Sequence, residues 1–293
     1  MTKPKLIIHA GTPKTGTTTL QQSFYISQSQ LIEKKILYPD LEIHSAFMPK
    51  HQWLVSCLVN GDFDRFDANI EKILTMAKEA NATIIFLSSE GIFNHWKDLP
   101  AESKVKLKEL CELFSSISIW CVFRKPISFI TSLYSQVLKN FPMQKIPFYA
   151  TSLTLEKLID DSDFARRLNY MEFINEIKLI FGKNSLIATK YESEDILEQA
   201  RKILGIDKNV LADVHRQNES LSKAGNELLR QSNKFKLKPS LRFKALTLIY
   251  SLDKILRKIS NPIKPSKELI IKVKQLSAVS EEYLAKYYGI TWK

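Results

Sequence analysis

Between Gly11 and Thr18 the chain reads GTPKTGTT, which places a lysine, two glycines and four threonines in eight residues. Side chains of that kind, at the end of an apolar run, suit the binding of phosphate. The run is Leu6, Ile7 and Ile8, expected to form a buried strand, and beyond the loop Leu20 and Phe24 recur on one face of a helix. Such a turn brings free backbone N–H groups and the positive end of the helix macrodipole onto one anion. Gly11 and Gly16 keep the spacing of the nucleotide-hydrolysing loop G-x-x-x-x-G-K-[ST], but Thr17 stands where its lysine belongs. Lys14, at the crown, could instead reach the bridging side of a bound phosphate.

A second set of residues follows later strands. Arg124 ends the apolar run 118–123, and Ser132 lies eight residues on in a helical pattern. A guanidinium offers a planar fork of donors for a terminal phosphate, and a serine two turns into the next helix could add a hydroxyl. Glu90 ends the run 83–87, after Ser88 and Ser89. His51, in an irregular segment, carries an imidazole that titrates near neutrality and so needs little tuning to act as a base. His9 stands in the first strand and reads as a packed residue.

Together these motifs resemble the sulfotransferases that use 3′-phosphoadenosine 5′-phosphosulfate (PAPS). GTPKTGTT is similar to their 5′-phosphosulfate loop, and Arg124 with Ser132, in an R-x-P…S-x-Y setting with Pro126 and Tyr134, is similar to their 3′-phosphate site. The resemblance implies a P-loop fold, PAPS as sulfuryl donor and no required metal. It implies that Gly11, Thr12, Pro13, Lys14, Thr15, Gly16, Thr17 and Thr18 cradle the 5′ side, with Lys14 stabilising the leaving oxygen. Arg216, in HRQNESLS, would approach the nucleotide. The family's usual histidine base is missing where FLSSEGIFN stands. Some carbohydrate sulfotransferases use a glutamate, which makes Glu90 the first candidate base and His51 the second. The R-K-G loop of the phenol and steroid enzymes is also missing, so the expected acceptor is a hydroxyl of a carbohydrate or glycolipid. The similarity rests on motifs to about residue 140 and on patterning beyond.

The elements that must position these residues follow from periodicity. Apolar runs at 83–87, 118–123 and 185–189 alternate with helical patterns at 66–77, 105–114, 129–137, 173–181 and 196–204. That alternation predicts an α/β fold, a P-loop-type parallel sheet with helices on both faces, whose ligands gather at the carboxyl ends of the strands. Lys14, Glu90 and Arg124 all fall there. A single domain over 1–293 is expected, with an α/β core over 1–215 and a helical, basic C-terminal region over 216–293.

With 43 Lys and Arg against 31 Asp and Glu in 293 residues, a net charge of +12 suits anionic ligands without choosing among them. Three cysteines without C-x-x-C spacing argue against a metal centre or a disulfide framework. No signal-peptide core or membrane-spanning run is expected, so a cytoplasmic protein is the default. The basic segment 234–274 reads as a solvated helical face or as a peripheral contact with the inner membrane face. Nucleic acid is not an expected partner, because basic charge alone is nonspecific. Two other functions stay open: a P-loop small-molecule kinase and a non-catalytic anion-binding module.

Overall fold

The computed structural model describes residues 2–12, 15–43, 49–142, 146–191, 195–214, 221–258 and 264–292. Along the chain, β1 (Lys5–His9) leads to α1 (Thr17–Ile26), α2 (Gln28–Glu33) and β2 (Ile36–Leu37). Then come α3 (Gln52–Asn60), α4 (Phe63–Glu79), β3 (Ile84–Ser88), α5 (Gly91–His95), α6 (Ala101–Leu113) and β4 (Ser116–Phe123). Next are α7 (Pro126–Lys139), two short turns, α8 (Leu155–Leu158) and α9 (Ser162–Ala165), and then α10 (Tyr170–Phe181). The series ends with β5 (Leu186–Lys190), α11 (Ile196–Leu204), α12 (Lys223–Asn233), α13 (Pro239–Leu256) and α14 (Lys267–Tyr288).

The five strands are parallel throughout, in the order β2-β3-β1-β4-β5. The protein is thus α/β, as the alternation predicts. The connection from β1 moves the chain to one side, and that from β3 crosses over β1 to the other. The order therefore reverses at β1, the place where such sheets bind ligands at their carboxyl ends.

Contacts divide the chain into two compact units. The first holds Met1–Arg124, Met171–Gln217 and Leu284–Lys293, and the second Lys125–Tyr170 and Asn218–Tyr283. The expected core over 1–215 keeps its sheet but gives up residues 125–170, which group with C-terminal helices instead.

In the first unit both faces of the sheet are covered. Ile7, Phe86, Trp120 and Val122 pack with Leu20 and Phe24 of α1 and with Ile196, Ala200 and Leu204 of α11. Phe123, on the opposite face of β4, meets Phe93 of α5 at 6.5 Å between ring centroids, and Phe93 meets Phe173 of α10 at 4.9 Å. Each such side chain, fully buried, contributes about 2 kcal/mol. The helix that follows the loop is broken at Ser27, and β2, α3 and α14 were not foreshadowed. In α3 the residues Trp53, Leu54, Val55, Cys57, Leu58 and Val59 are all buried, and the polar face is only a narrow stripe of Gln52, Ser56 and Asn60.

The second unit is pinned by charge. Arg242 of α13, 4% exposed, donates to the carbonyl oxygens of Leu138 (2.8 Å) and Asn140 (2.9 Å) at the C-terminal end of α7, and to Asn233 Oδ1. A cation there meets the negative end of the helix macrodipole. Asp253, about three turns further along α13 and 1% exposed, accepts from the Ser222 N–H (3.1 Å) and from Arg257 Nε (2.8 Å). Ser222 is the N-cap of α12, its Oγ accepting the Gly225 N–H at 3.0 Å. Among the described residues no helix is long and apolar enough to cross a membrane.

Candidate functional site

The loop after β1 is held before it turns. The Ala10 N–H donates to the Trp120 carbonyl (2.8 Å), and both the N–H (3.3 Å) and the hydroxyl (2.9 Å) of Thr12 donate to the Val122 carbonyl. The Thr15 hydroxyl reaches back to the Thr12 carbonyl at 2.7 Å and closes the loop on itself. Thr12 and Thr15 are fully buried. Their side chains therefore hold the shape of the loop.

Gly16 takes φ +87°, in the left-handed region, and a Cβ there would lie 3.0 Å from Ile196 Cγ2. The positive φ favours glycine, and a larger residue would also press on the Ile196 side chain. It is also the N-cap of α1, which has no side-chain cap and no acidic residue of its own in the first turn. An acid arrives from elsewhere: the Thr17 hydroxyl donates to Glu90 Oε2 at 2.8 Å. The carboxylate at the end of β3 thus sits at the end of α1 that favours negative charge. The sequence puts these two residues 73 positions apart; the parallel pairing of β1 with β3, His9 opposite Ser88, brings them together.

Beneath the loop lies a buried polar floor that sequence reasoning missed. His9 Nδ1 is 2.9 Å from Ser88 Oγ, which also accepts from Gln21 Nε2 at 3.1 Å. Burial lowers the His9 pKa to about 3, so the ring is neutral. Its Nε2 has no hydrogen bond among the described residues, and a Cβ at Gly11 would come within 2.8 Å of it. Ser89, whose N–H donates to the His9 carbonyl at 3.0 Å, also has a buried hydroxyl without a partner among the described residues. A buried polar atom left unmet costs about 1–3 kcal/mol, so two of them at the carboxyl ends of adjoining strands call for a reason.

His51 is not placed to act as a base. It is fully buried, with Nε2 2.9 Å from the Pro39 carbonyl and Nδ1 accepting the Ser88 N–H at 3.0 Å. Both nitrogens are engaged, and burial lowers its pKa to about 4 despite those bonds. An imidazole so placed has no lone pair for an acceptor hydroxyl; it ties the segment before α3 to β3.

Arg124 follows β4 directly, half-buried, with its guanidinium over the Tyr191 ring at 5.1 Å from the centroid. A cation over an aromatic face is held in orientation without losing its donors. Tyr191 was not foreseen; it follows β5, where its N–H pairs with the Phe123 carbonyl at 2.8 Å. Ser132 belongs to the second unit, in α7, and its buried hydroxyl has no hydrogen bond among the described residues. Tyr134 is structural, its hydroxyl donating to the Leu153 carbonyl at 2.9 Å. Pro13, Lys14 and Arg216 lie outside the described residues.

No protein-family model and no curated protein sequence matches this chain.

What the first unit brings together, then, is a glycine turn onto a helix N-terminus, a carboxylate bonded to the first hydroxyl of that helix, and a guanidinium at the end of the neighbouring strand. These groups fit a phosphate-bearing ligand. The helix end and Arg124 supply positive potential, and the Glu90 carboxylate lies beside the helix end.

Proposed function

We propose that the protein is a sulfotransferase that moves the sulfuryl group of PAPS to a hydroxyl of a carbohydrate or glycolipid. The observation that carries this reading is the left-handed Gly16 turn onto an uncapped α1 at the central strand, with Glu90 hydrogen-bonded to Thr17. The donor supplies an activated sulfuryl group on its 5′-phosphate. Backbone N–H groups of the loop and of the first turn of α1 bind that phosphate, and Lys14 neutralises the oxygen released as the S–O bond breaks. Arg124 receives the 3′-phosphate, joined in this reading by Arg216. Glu90 takes the proton of the acceptor hydroxyl; Thr17 holds one of its oxygens and so orients the other.

One observation favours a second reading. A hydroxyl and a carboxylate 2.8 Å apart beside a phosphate loop, as in Thr17 and Glu90, are also the pair that a Mg²⁺ ion can share in a P-loop kinase. Calorimetry of 3′,5′-ADP and 5′-ADP, with and without Mg²⁺, on wild type and Arg124→Ala separates the two. The sulfotransferase reading expects metal-free binding of 3′,5′-ADP, weakened about tenfold or more by Arg124→Ala as a charge-assisted contact is lost. Equal binding of both nucleotides, or binding only with Mg²⁺, would transfer the conclusion to the kinase.

A further inference from the structure

Helix α13 has its faces reversed. Its buried residues are Arg242, Ile249 and Asp253, two of them charged, whereas Leu241, Leu248, Leu252 and Ile255 are 51%, 61%, 41% and 65% exposed. Spacings of seven, four and three residues put those four within about 60° of one another around the helix, on a stripe about 21 Å long. A contiguous apolar stripe in water carries a standing cost, and its presence marks a surface meant to be covered.

The charge around it says by what. Between residues 234 and 258 the one acidic residue is Asp253, and it is buried against Ser222 and Arg257. The exposed charges of the segment, Lys234, Lys236, Lys238, Lys244, Lys254 and Lys258, are all positive. Phe235, 74% exposed, adds a large apolar group just before the helix. A second copy of the chain would bring these lysines against one another, whereas an anionic surface pairs with them. An apolar stripe with a cationic border is the pattern of a helix lying in a lipid interface, and each lysine near an anionic bilayer adds about 1 kcal/mol.

We propose that α13 docks the protein on an anionic membrane surface, with Leu241, Leu248, Leu252 and Ile255 entering the headgroup boundary and the lysines meeting lipid phosphates. This docking stands independently of the reaction proposed above. Co-sedimentation of the full chain with vesicles of phosphatidylcholine alone, or mixed with phosphatidylglycerol, tests it. The expected result is partition onto the mixed vesicles only, weakened by salt, and lowered more than about tenfold in Leu248→Glu/Leu252→Glu. Because both residues are exposed, that variant should keep the wild-type circular dichroism and unfolding midpoint. Lys244→Glu/Lys258→Glu should weaken binding to the mixed vesicles as well, through charge alone. No partition, or equal partition onto both vesicles, overturns the proposal. So does a concentration-dependent dimer in light scattering that Leu248→Glu/Leu252→Glu abolishes, since the stripe would then be covered by a second copy.

Discussion

The two units bury polar groups in different settings. In the first, the polar atoms without partners among the described residues include His9 Nε2 and the Ser89 hydroxyl at the carboxyl ends of β1 and β3, where His9 is neutral, and the buried arginine, Arg201, is paired with Glu198 and Asp213. In the second, the buried polar groups include full charges, and these are spent on helix ends: Arg242 on α7, Asp253 on α12. A buried charge that satisfies a helix terminus has a structural explanation. The imidazole nitrogen and hydroxyl left unmet near the Gly16 turn have no such explanation, which is why the reaction proposed above is assigned to the first unit.

The sharpest way to break the comparison is Arg242→Ala. It would leave the Asn140 carbonyl and Asn233 Oδ1 without the guanidinium and strip one of two donors from the Leu138 carbonyl, at a cost of about 3 kcal/mol. Hydrogen exchange should show amides of α7 and α13 losing protection while β1, β3 and β4 keep theirs. An equal loss in both units would mean that they unfold as one.

A second test uses pH. His51 titrates at about 4 in the folded chain against 6.5 in the unfolded one, because burial disfavours its charged form. Its contribution is therefore present above pH 6.5 and lost as pH falls toward 4, at about 1.4 kcal/mol per pH unit. His51→Gln should cost most at pH 7, and the gap to wild type in denaturant melts should shrink by pH 4. A gap that stays constant would mean that His51 is not held neutral.

The smallest expected effect is that of Gly16→Ala, about 2 kcal/mol from the left-handed backbone and the contact with Ile196. Its diagnostic readout is nucleotide binding, which should fall far more than stability does. If binding survives, the turn is only a connection.

Much of the sheet was legible, because fully buried parallel strands read as unbroken apolar runs; the run 118–123 became most of β4. The helix 196–204 matched its expected span, since Gly205 marks its end with φ +65°. The two-residue β2 carries too few residues to show a period. Within the site, the Gly16 turn and the strand-end position of Glu90 could be read from spacing. The bond from Thr17 to Glu90 and the His9–Ser88–Gln21 floor could not, because they depend on strand register. His51 failed as a base for the same reason: titration near neutrality is a property of the free side chain, and its burial depends on the fold. In α13, Leu246, Ile249, Tyr250 and Leu256 recur at helical spacing. A second apolar stripe shares the helix, and buried Arg242 and Asp253 decide which stripe turns inward.

The interleaving of the units bears on how the chain is made. When β4 leaves the ribosome, its neighbour β5 is still unsynthesised, and residues 125–170, which belong to the second unit, come next. The sheet can add its last strand only with that segment looped outside it, a closure whose entropy grows only slowly with length. The C-terminal carbonyls of α7 wait still longer, until Arg242 emerges about a hundred residues later. Synthesis therefore completes the sheet of the first unit while the second is half made, and the chain's vulnerable interval is the wait for α13.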